Sequence, residues 1–410
     1  MLNDLASLDT SAPVPGGSHG QIVAVLGLGY VGLPVATAFA KAGFRVVGID
    51  VDRSRLNEVA AAMDAGSRVH DAPRLTLSSR PEALAAADVV FICVPTPLED
   101  GEARHEAVRE CAAAFARYGR ADALIILEST VRPGFLEELR SILGHGGGVA
   151  LAYAPERIDP QPGGDGRRLR DVPRLVAGVD ESAQTRAVAV LRAVGVPVHP
   201  VPLKVAEYAK LLENSYRLLN VAFIDEFAAV CRADGVDPRA VVGAAATKPF
   251  GYQPFWPGVG AGGHCVAVDP AFLVHRGREL ATPLALLESA LTANASRPYA
   301  VAGTVAAGTA PGATVLVVGL TYKPGVPDTR ESAALIAARA LAGMNRRVIA
   351  HDALLASPPD LKGVGLIAGL ALADAVVLLV RQPDAVAAQL LRSGLPMFDA
   401  TGTLPGAMEV

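Results

Sequence analysis

Charged residues make up only 19% of this 410-residue chain, aromatic residues 5%, and tryptophan occurs once. The formal net charge is -4, and the sequence has no basic tract like those that track phosphate backbones. Both facts exclude the electrostatic footprint of a protein that tracks a nucleic-acid backbone. Cysteine is scarce as well. The four, at positions 93, 111, 231 and 265, are too scattered for a disulfide scaffold, and no Cys-x-x-Cys pair suggests a metal knuckle. No metal is expected, and a reducing, cytoplasmic setting is. Residues 1–19 have neither a basic start nor an apolar stretch, so they read as a tail and not as a signal peptide.

Hydrophobic residues, at 51%, are plentiful, and the length is that of two or three domains. The nineteen residues 22–40 are all uncharged, which raises the question of a membrane span. Gly27, Gly29, Gly32 and Pro34 interrupt the run, so a short strand followed by a glycine turn explains it better. No membrane partner is expected.

Apolar runs at 22–26, 45–50, 89–94, 124–128 and 149–152 read as strands, with helical spacers between several of them. Alternation of this kind predicts a parallel sheet covered on both faces. Residues 205–235 form one long helical pattern without internal Pro or Gly up to its last residue, and a further helix is expected over 284–296. After Pro311-Gly312 the rhythm returns, with strands at 314–318 and 347–351. Residues 87–94 and 373–380 echo one another, each following a strand that ends in glycine. The fold expected is α/β: two doubly wound Rossmann-like domains joined by a helical central domain with one long helix. The predicted boundaries are a disordered tail over 1–20, a dinucleotide domain over 21–200, a central helical domain over 201–305 and a second doubly wound domain over 306–410.

Gly27-Leu28-Gly29-Tyr30-Val31-Gly32 has the GxGxxG form, follows an expected strand, opens a helix and precedes Asp50 by 23 residues from Gly27. Gly27 permits the tight turn, Gly29 the approach of a pyrophosphate, and Gly32 close helix–sheet packing. Helix amides left over at that terminus attract phosphate charge. Asp50 is placed to accept bonds from a ribose diol, which favours NAD over NADP. FAD, or a glycine turn holding no ligand, is the alternative. Thr96 and Thr130 follow the strands ending near 94 and 128, where ligands of open sheets sit, although either could instead cap a helix.

Cys265 comes after the bend-prone stretch 257–263 and four residues before Asp269. That setting, beside a redox cofactor domain, points to a nucleophile, while Cys93, Cys111 and Cys231 read as ordinary core thiols. Glu207, Lys210, Asn214 and Arg217 share one face of the long helix. Either that face is wet, or Lys210 and Asn214 hold oxygen atoms of a reacting centre. Glu156, after the strand near 150, adds a carboxylate.

At these residues the chain resembles the UDP-glucose/GDP-mannose dehydrogenase family over nearly its whole length. The matching pieces are Gly27 to Pro34, Val94-Pro95-Thr96-Pro97, Ala154-Pro155-Glu156-Arg157, Glu213 to Asn220, Gly262-Gly263-His264-Cys265, and Gly319 to Pro324 with Asp328-Thr329-Arg330-Glu331-Ser332. The resemblance implies NAD-binding roles for Gly27, Gly29, Gly32, Asp50, Thr96, Thr130 and Arg330. It implies Cys265 as nucleophile, with Lys210, Asn214, Asp269 and Glu156 as catalytic polar groups. Arg217, Tyr252 and Lys323 would contact a nucleotide-sugar substrate, and a homodimer would form on the central helix. Residues 246–255 look like UDP-N-acetylglucosamine dehydrogenases, whereas 266–270 lean toward the UDP-N-acetylmannosamine enzymes. The stretches 98–105 and 161–166 depart from the family pattern. The activity implied is a four-electron oxidation of a UDP-N-acetylhexosamine at C6, best UDP-N-acetylglucosamine, through a cysteine thiohemiacetal and thioester. UDP-N-acetylmannosamine or UDP-glucose is the alternative substrate. A non-catalytic nucleotide-binding sensor is the alternative of another class.

Overall fold

The computed structural model describes residues 20–64, 72, 74–99, 102–144, 149–157, 169–263 and 265–410. The tail reading for 1–19, the expanded stretch 161–166, Asp100, Gly101 and His264 lie outside the described residues. Contacts divide the chain into two compact units, and the division falls between Lys210 and Leu211.

The first unit opens with β1 (Ile22–Leu26), α1 (Gly32–Lys41), β2 (Arg45–Ile49), α2 (Arg53–Asp64), β3 (Leu75–Ser78) and β4 (Val89–Ile92). A small antiparallel pair, β5 (Leu98–Glu99) and β6 (Glu102–Ala103), precedes α3 (Glu106–Tyr118) and β7 (Leu124–Leu127). Then come α4 (Phe135–Leu143), β8 (Ala150–Tyr153), β9 (Arg174–Gly178), α5 (Glu181–Ala193) and β10 (Val198–Pro200). Eight of these strands form one sheet in the order β10-β9-β8-β7-β4-β1-β2-β3.

Successive residues of the central strands enter opposite cores, which is why those strands read as unbroken apolar runs. Val23, Val25, Val89, Phe91, Leu124 and Ile126 pack on one side. Ala24, Leu26, Val90, Ile92, Ile125 and Leu127 pack on the other. Phe91 touches Phe39 of α1 with ring centroids 5.0 Å apart. Truncating such a buried phenylalanine to alanine costs about 3–5 kcal/mol. Residues 22–40, weighed above as a membrane span, are therefore β1, a glycine turn and most of α1. No described helix is long and apolar enough to cross a membrane.

The expected all-parallel sheet needs one correction. β9 runs antiparallel to β8, pairing Ala152 with Gly178 and Tyr153 with Ala177. A parallel neighbour requires a crossover, normally helical. The intervening sequence is rich in Pro, Gly and Asp and carries no Ala-rich helical spacer like those before β4 and β7.

The long helix is α6 (Leu203–Ala233), 31 residues, and it stops where Gly235 turns left-handed at φ 74°. Val236 donates back to the Cys231 carbonyl at 2.8 Å, satisfying an orphan acceptor of the last turn. The second unit continues with α7 (Pro238–Ala245), α8 (Asp269–Glu279) and α9 (Ala285–Ala307). Here too a boundary is corrected: α9 does not end near 296 but runs through Pro298. Pro298 brings no amide to the carbonyl of Asn294, and the helix carries on because its next turns are buried through Val301, Ala302 and Val305.

The chain finishes with β11 (Thr314–Val318), α10 (Ala333–Gly343), β12 (Arg347–His351), β13 (Lys362–Gly363), α11 (Leu366–Leu372), β14 (Ala375–Leu378), α12 (Asp384–Arg392), β15 (Met397–Asp399) and β16 (Met408–Glu409). Six strands pair in the order β13-β12-β11-β14-β15-β16.

The internal echo recurs bond for bond. Gly27 and Gly319 both have φ 86°. Leu28 N donates to Asp50 Oδ2 at 2.8 Å, and Leu320 N donates to Asp352 Oδ2 at 2.8 Å. Ile22 N meets Asp88 Oδ2 at 2.8 Å, and Thr314 N meets Asp374 Oδ2 at 2.8 Å. An aspartate at the end of the second strand fixes the turn after the first in each half.

Candidate active site

In the first unit the glycine turn sits between the ends of β1, β2 and β4. Gly27 N donates to the Ile49 carbonyl at 2.8 Å, and a Cβ on Gly27 would lie 2.8 Å from the Cys93 carbonyl oxygen. A Cβ on Gly32 would run into the Gly27 carbonyl oxygen. Gly29 differs: a Cβ there would meet nothing within 4 Å. Protein packing therefore demands Gly27 and Gly32, whereas Gly29 opens onto space that an approaching ligand can use.

Val31 stands at the start of α1 without a side-chain cap, and no acidic residue lies in the first turn. Uncapped amides above an open glycine fit a dinucleotide pyrophosphate. Asp50 accepts from Leu28 N through Oδ2 and from Asp52 N, at 2.9 Å, through Oδ1. Both bonds orient its carboxylate at the β2 end and leave further lone pairs for a ribose. Thr96, 2% exposed, donates its hydroxyl to the Thr130 carbonyl at 2.8 Å. Neither threonine caps a helix; the bond joins the loops after β4 and β7.

Next to these loops lies a buried charge cluster that the sequence did not reveal. Arg174 on β9 reaches Glu128 Oε2 at 3.1 Å and Glu156 Oε2 at 2.8 Å, and donates to the Ala154 carbonyl at 3.2 Å. Burial pushes the Glu128 carboxyl above the usual carboxylate range, against the pull of Arg174 and with the push of Glu156. Glu156 also accepts from Arg157 N at 2.6 Å, and its backbone carbonyl takes a hydrogen bond from Lys210 Nζ. Glu207 accepts from Gly134 N at 3.1 Å. The only forewarning of this cluster was an arginine heading an otherwise apolar strand.

The polar face of α6 is not wet along its length. Glu207, Lys210 and Asn214 are buried, and only Arg217 is exposed.

In the second unit, Asn214 donates to Asp269 Oδ2 at 2.6 Å, and Asp269 is 1% exposed at the head of α8. Asp269 N donates to the Cys265 carbonyl at 2.9 Å, so the two are linked through one backbone turn. Cys265 is exposed, Cys93 and Cys231 are buried, and Cys111 is intermediate. Burial pushes the Cys93 thiol well up and the Cys111 thiol up to about 12.

The segment leading to Cys265 is held tightly. A Cβ on Gly262 would lie 2.6 Å from the Glu331 carbonyl oxygen, and one on Gly263 would lie 2.6 Å from the Tyr322 ring. Gly263 N donates to the Glu331 carbonyl at 3.1 Å. Two motifs far apart in sequence thus meet. Arg330 forks onto Asp328 at 3.0 and 2.8 Å with its side chain half exposed, Lys323 is half-buried, and Tyr252 is exposed. Asp225, Asn294 and Arg297, buried and polar on α6 and α9, were missed in the sequence.

Three family profiles match the chain: the NAD-binding domain of the UDP-glucose/GDP-mannose dehydrogenase family over residues 21–194, its central domain over 204–296, and its UDP-binding domain over 316–400. A UDP-N-acetyl-D-mannosamine dehydrogenase of Methanocaldococcus jannaschii is 32% identical over 330 residues, which cover 77% of this chain and 75% of that protein. A UDP-N-acetyl-D-glucosamine 6-dehydrogenase of Pseudomonas aeruginosa is 32% identical over 351 residues, covering 80% and 82%. A solved UDP-D-ManNAc dehydrogenase from Pyrococcus horikoshii superposes with a TM-score of 0.82 at 28% identity, covering 95% of this chain and 97% of that one. With the glycine turn, its acidic partner and all three domain profiles in place, the chain belongs to the UDP-glucose/GDP-mannose dehydrogenase family and is an NAD-dependent nucleotide-sugar dehydrogenase.

Proposed function

We propose that the chain oxidises the C6 hydroxyl of a UDP-N-acetylhexosamine to the carboxylate, with Cys265 as the nucleophile. The observation that carries this reading is the exposed Cys265, set behind the pinned Gly262-Gly263 and one turn before a buried Asp269. A two-electron alcohol dehydrogenase needs no thiol. Over the whole reaction, alcohol, water and two NAD give carboxylate, two NADH and three protons.

NAD, which Gly27, Gly29, Gly32, Asp50, Thr96 and Thr130 would hold, would supply the hydride acceptor. Lys210 and Asn214 stabilise negative charge on the reacting oxygen. The Cys265 thiolate attacks the aldehyde carbon, giving a thiohemiacetal that is oxidised to a thioester. Asp269 takes a proton from the water that releases the acid. Glu156 is the weaker candidate for that proton, since both its carboxylate oxygens are already engaged. Arg217, Tyr252 and Lys323 contact the nucleotide sugar.

For the sugar, residues 246–255 favour UDP-N-acetylglucosamine. Residues 266–270 and the name of the M. jannaschii relative favour the mannosamine epimer. A site that pairs the donor and acceptor of an acetamido group rejects UDP-glucose, which leaves those groups unsatisfied. The test is NADH release with UDP-N-acetylglucosamine, UDP-N-acetylmannosamine, UDP-N-acetylgalactosamine, UDP-glucose and GDP-mannose. A kcat/KM for UDP-glucose at or above every acetamido sugar refutes the substrate class.

Assembly as a homodimer is supported by one stripe of α6, where Val205, Leu212, Phe223 and Val230 are 50%, 64%, 64% and 67% exposed. A monomer bearing such a stripe leaves an apolar patch in water.

A further inference from the structure

The segment 257–263 leads into Cys265 without regular secondary structure, so its backbone groups must find partners elsewhere. Two residues find them in buried side chains. Ala261 N donates to Asn294 Oδ1 at 2.7 Å, and Asn294 Nδ2 donates to the Ala261 carbonyl at 3.0 Å. Gly258 N donates to Asp225 Oδ1 at 2.8 Å, and Arg297 Nε donates to the Gly258 carbonyl at 2.9 Å. Asp225 and Arg297 stand 3.6 Å apart, and all three clamping residues are at most 9% exposed. Gly260, at φ 106°, is in a backbone conformation that favours glycine, and a Cβ there would lie in van der Waals contact, 3.4 Å, with both the carbonyl and Oδ1 of Asn294. Beyond the clamp, Ala261 and Val266 pack on the apolar cluster of Leu218, Val274 and Leu287.

We propose that Asn294 is a positioning residue for the Cys265 thiol, acting through the Ala261 backbone. The inference rests on the reading of Cys265 as nucleophile. Attack on an aldehyde carbon needs a near-attack approach, and a displacement of about 1 Å costs on the order of 10²-fold in rate. Only a side chain with a donor and an acceptor side by side can serve both backbone groups of Ala261. A carboxamide has that pair; an ionised carboxylate accepts only, and a protonated carboxyl regains it.

The first hydride transfer does not involve the thiol, so a misplaced Cys265 shows as aldehyde escaping before the second. Asn294→Ala and Asn294→Asp are compared with the unaltered protein, using UDP-N-acetylglucosamine and UDP-N-acetylmannosamine. NADH, uronic acid and hydroxylamine-trapped aldehyde are counted. In Asn294→Ala, acid formation is expected to fall at least about tenfold, with trapped aldehyde and more than two NADH per acid, while NAD affinity is unchanged. Asn294→Asp shares the defect at neutral pH and recovers toward two NADH per acid as pH falls and its carboxyl protonates, a profile that a general loss of folding does not produce. Independent of turnover, the rate of Cys265 alkylation by iodoacetamide shifts at least about threefold in Asn294→Ala, while Cys111 keeps its rate.

Two NADH per acid at the unaltered rate in both variants overturns the inference, as does an unchanged alkylation rate at Cys265. Cys265→Ala separates the two levels. If it still makes acid, the nucleophile reading fails; if it does not and both Asn294 variants behave as the unaltered protein, only the role of Asn294 fails.

Discussion

Asn214 donates its side-chain amide to Asp269 Oδ2 at 2.6 Å, which ties the middle of α6 to the first residue of α8. One amide proton of Asn214 is thereby committed, and the proposed role gives the second to a substrate oxygen. The bond fixes the Asp269 carboxylate, four residues after Cys265, so the residues proposed to stabilise the oxyanion and to activate water form one hydrogen-bonded unit. Asn214→Ala is expected to lower kcat on the order of 10²-fold with NAD affinity unchanged. An unaltered kcat would detach this bond from the chemistry.

Gly29 and Gly32 should separate on mutation. Gly29→Ala adds a methyl where nothing lies within 4 Å, so the thermal midpoint should hold while NAD affinity drops by at least about tenfold, or ~1.4 kcal/mol. Gly32→Ala forces its methyl against the Gly27 carbonyl and should lose both stability and NAD binding. Calorimetric titration beside thermal unfolding checks this. An equal loss of stability in the two variants would contradict the ligand-facing role of Gly29.

Asp50→Ala removes the acceptor of the Leu28 and Asp52 amides as well as the proposed ribose partner. NAD binding should weaken by about 1–3 kcal/mol, and discrimination against NADP should relax, because the like charge facing a 2′-phosphate is gone. Equal kcat/KM for NAD and NADP in the unaltered protein would refute the role of Asp50.

Acid stability should report His105. It stacks on Phe135 at 4.4 Å, and its Nε2 accepts from Arg132 N at 3.3 Å. Burial, with Arg132 and Arg109 adding, lowers its pKa from 6.5 to about 4. Between those values the folded chain binds fewer protons than the unfolded one, so this group makes stability rise with pH. The loss on descending through that window is up to about 3 kcal/mol. Asp225 works in the opposite sense, since burial raises its carboxyl to about 6. Urea unfolding of His105→Gln against the unaltered chain isolates the histidine. The variant should lack that part of the slope, and identical slopes would sink the assignment.

Much of this architecture was legible because burial on both faces writes itself as apolar runs. β11 and β12 begin and end where the pattern placed them, at Thr314–Val318 and Arg347–His351. What stayed hidden was short or polar. β9 begins with Arg174, whose charge is matched, among the described residues, by Glu128 and Glu156 just beyond the ends of β7 and β8, a pairing invisible along the chain. Within the candidate site, the glycine turn, Asp50, Cys265 and Asp269 carry local spacing and could be read. Asn294 and Arg297 could not, because their partners are backbone atoms of residues 258–261, and a backbone atom has no letter in a sequence.

The central claim is a four-electron oxidation that passes through Cys265. Its most direct test counts NADH and uronic acid from a limiting UDP-N-acetylhexosamine, with the unaltered chain and with Cys265→Ser side by side. The account predicts two NADH per uronic acid for the former. For Cys265→Ser it predicts retained binding of NAD and sugar nucleotide with no net acid. One NADH per product from the unaltered chain, or undiminished acid from Cys265→Ser, would contradict it.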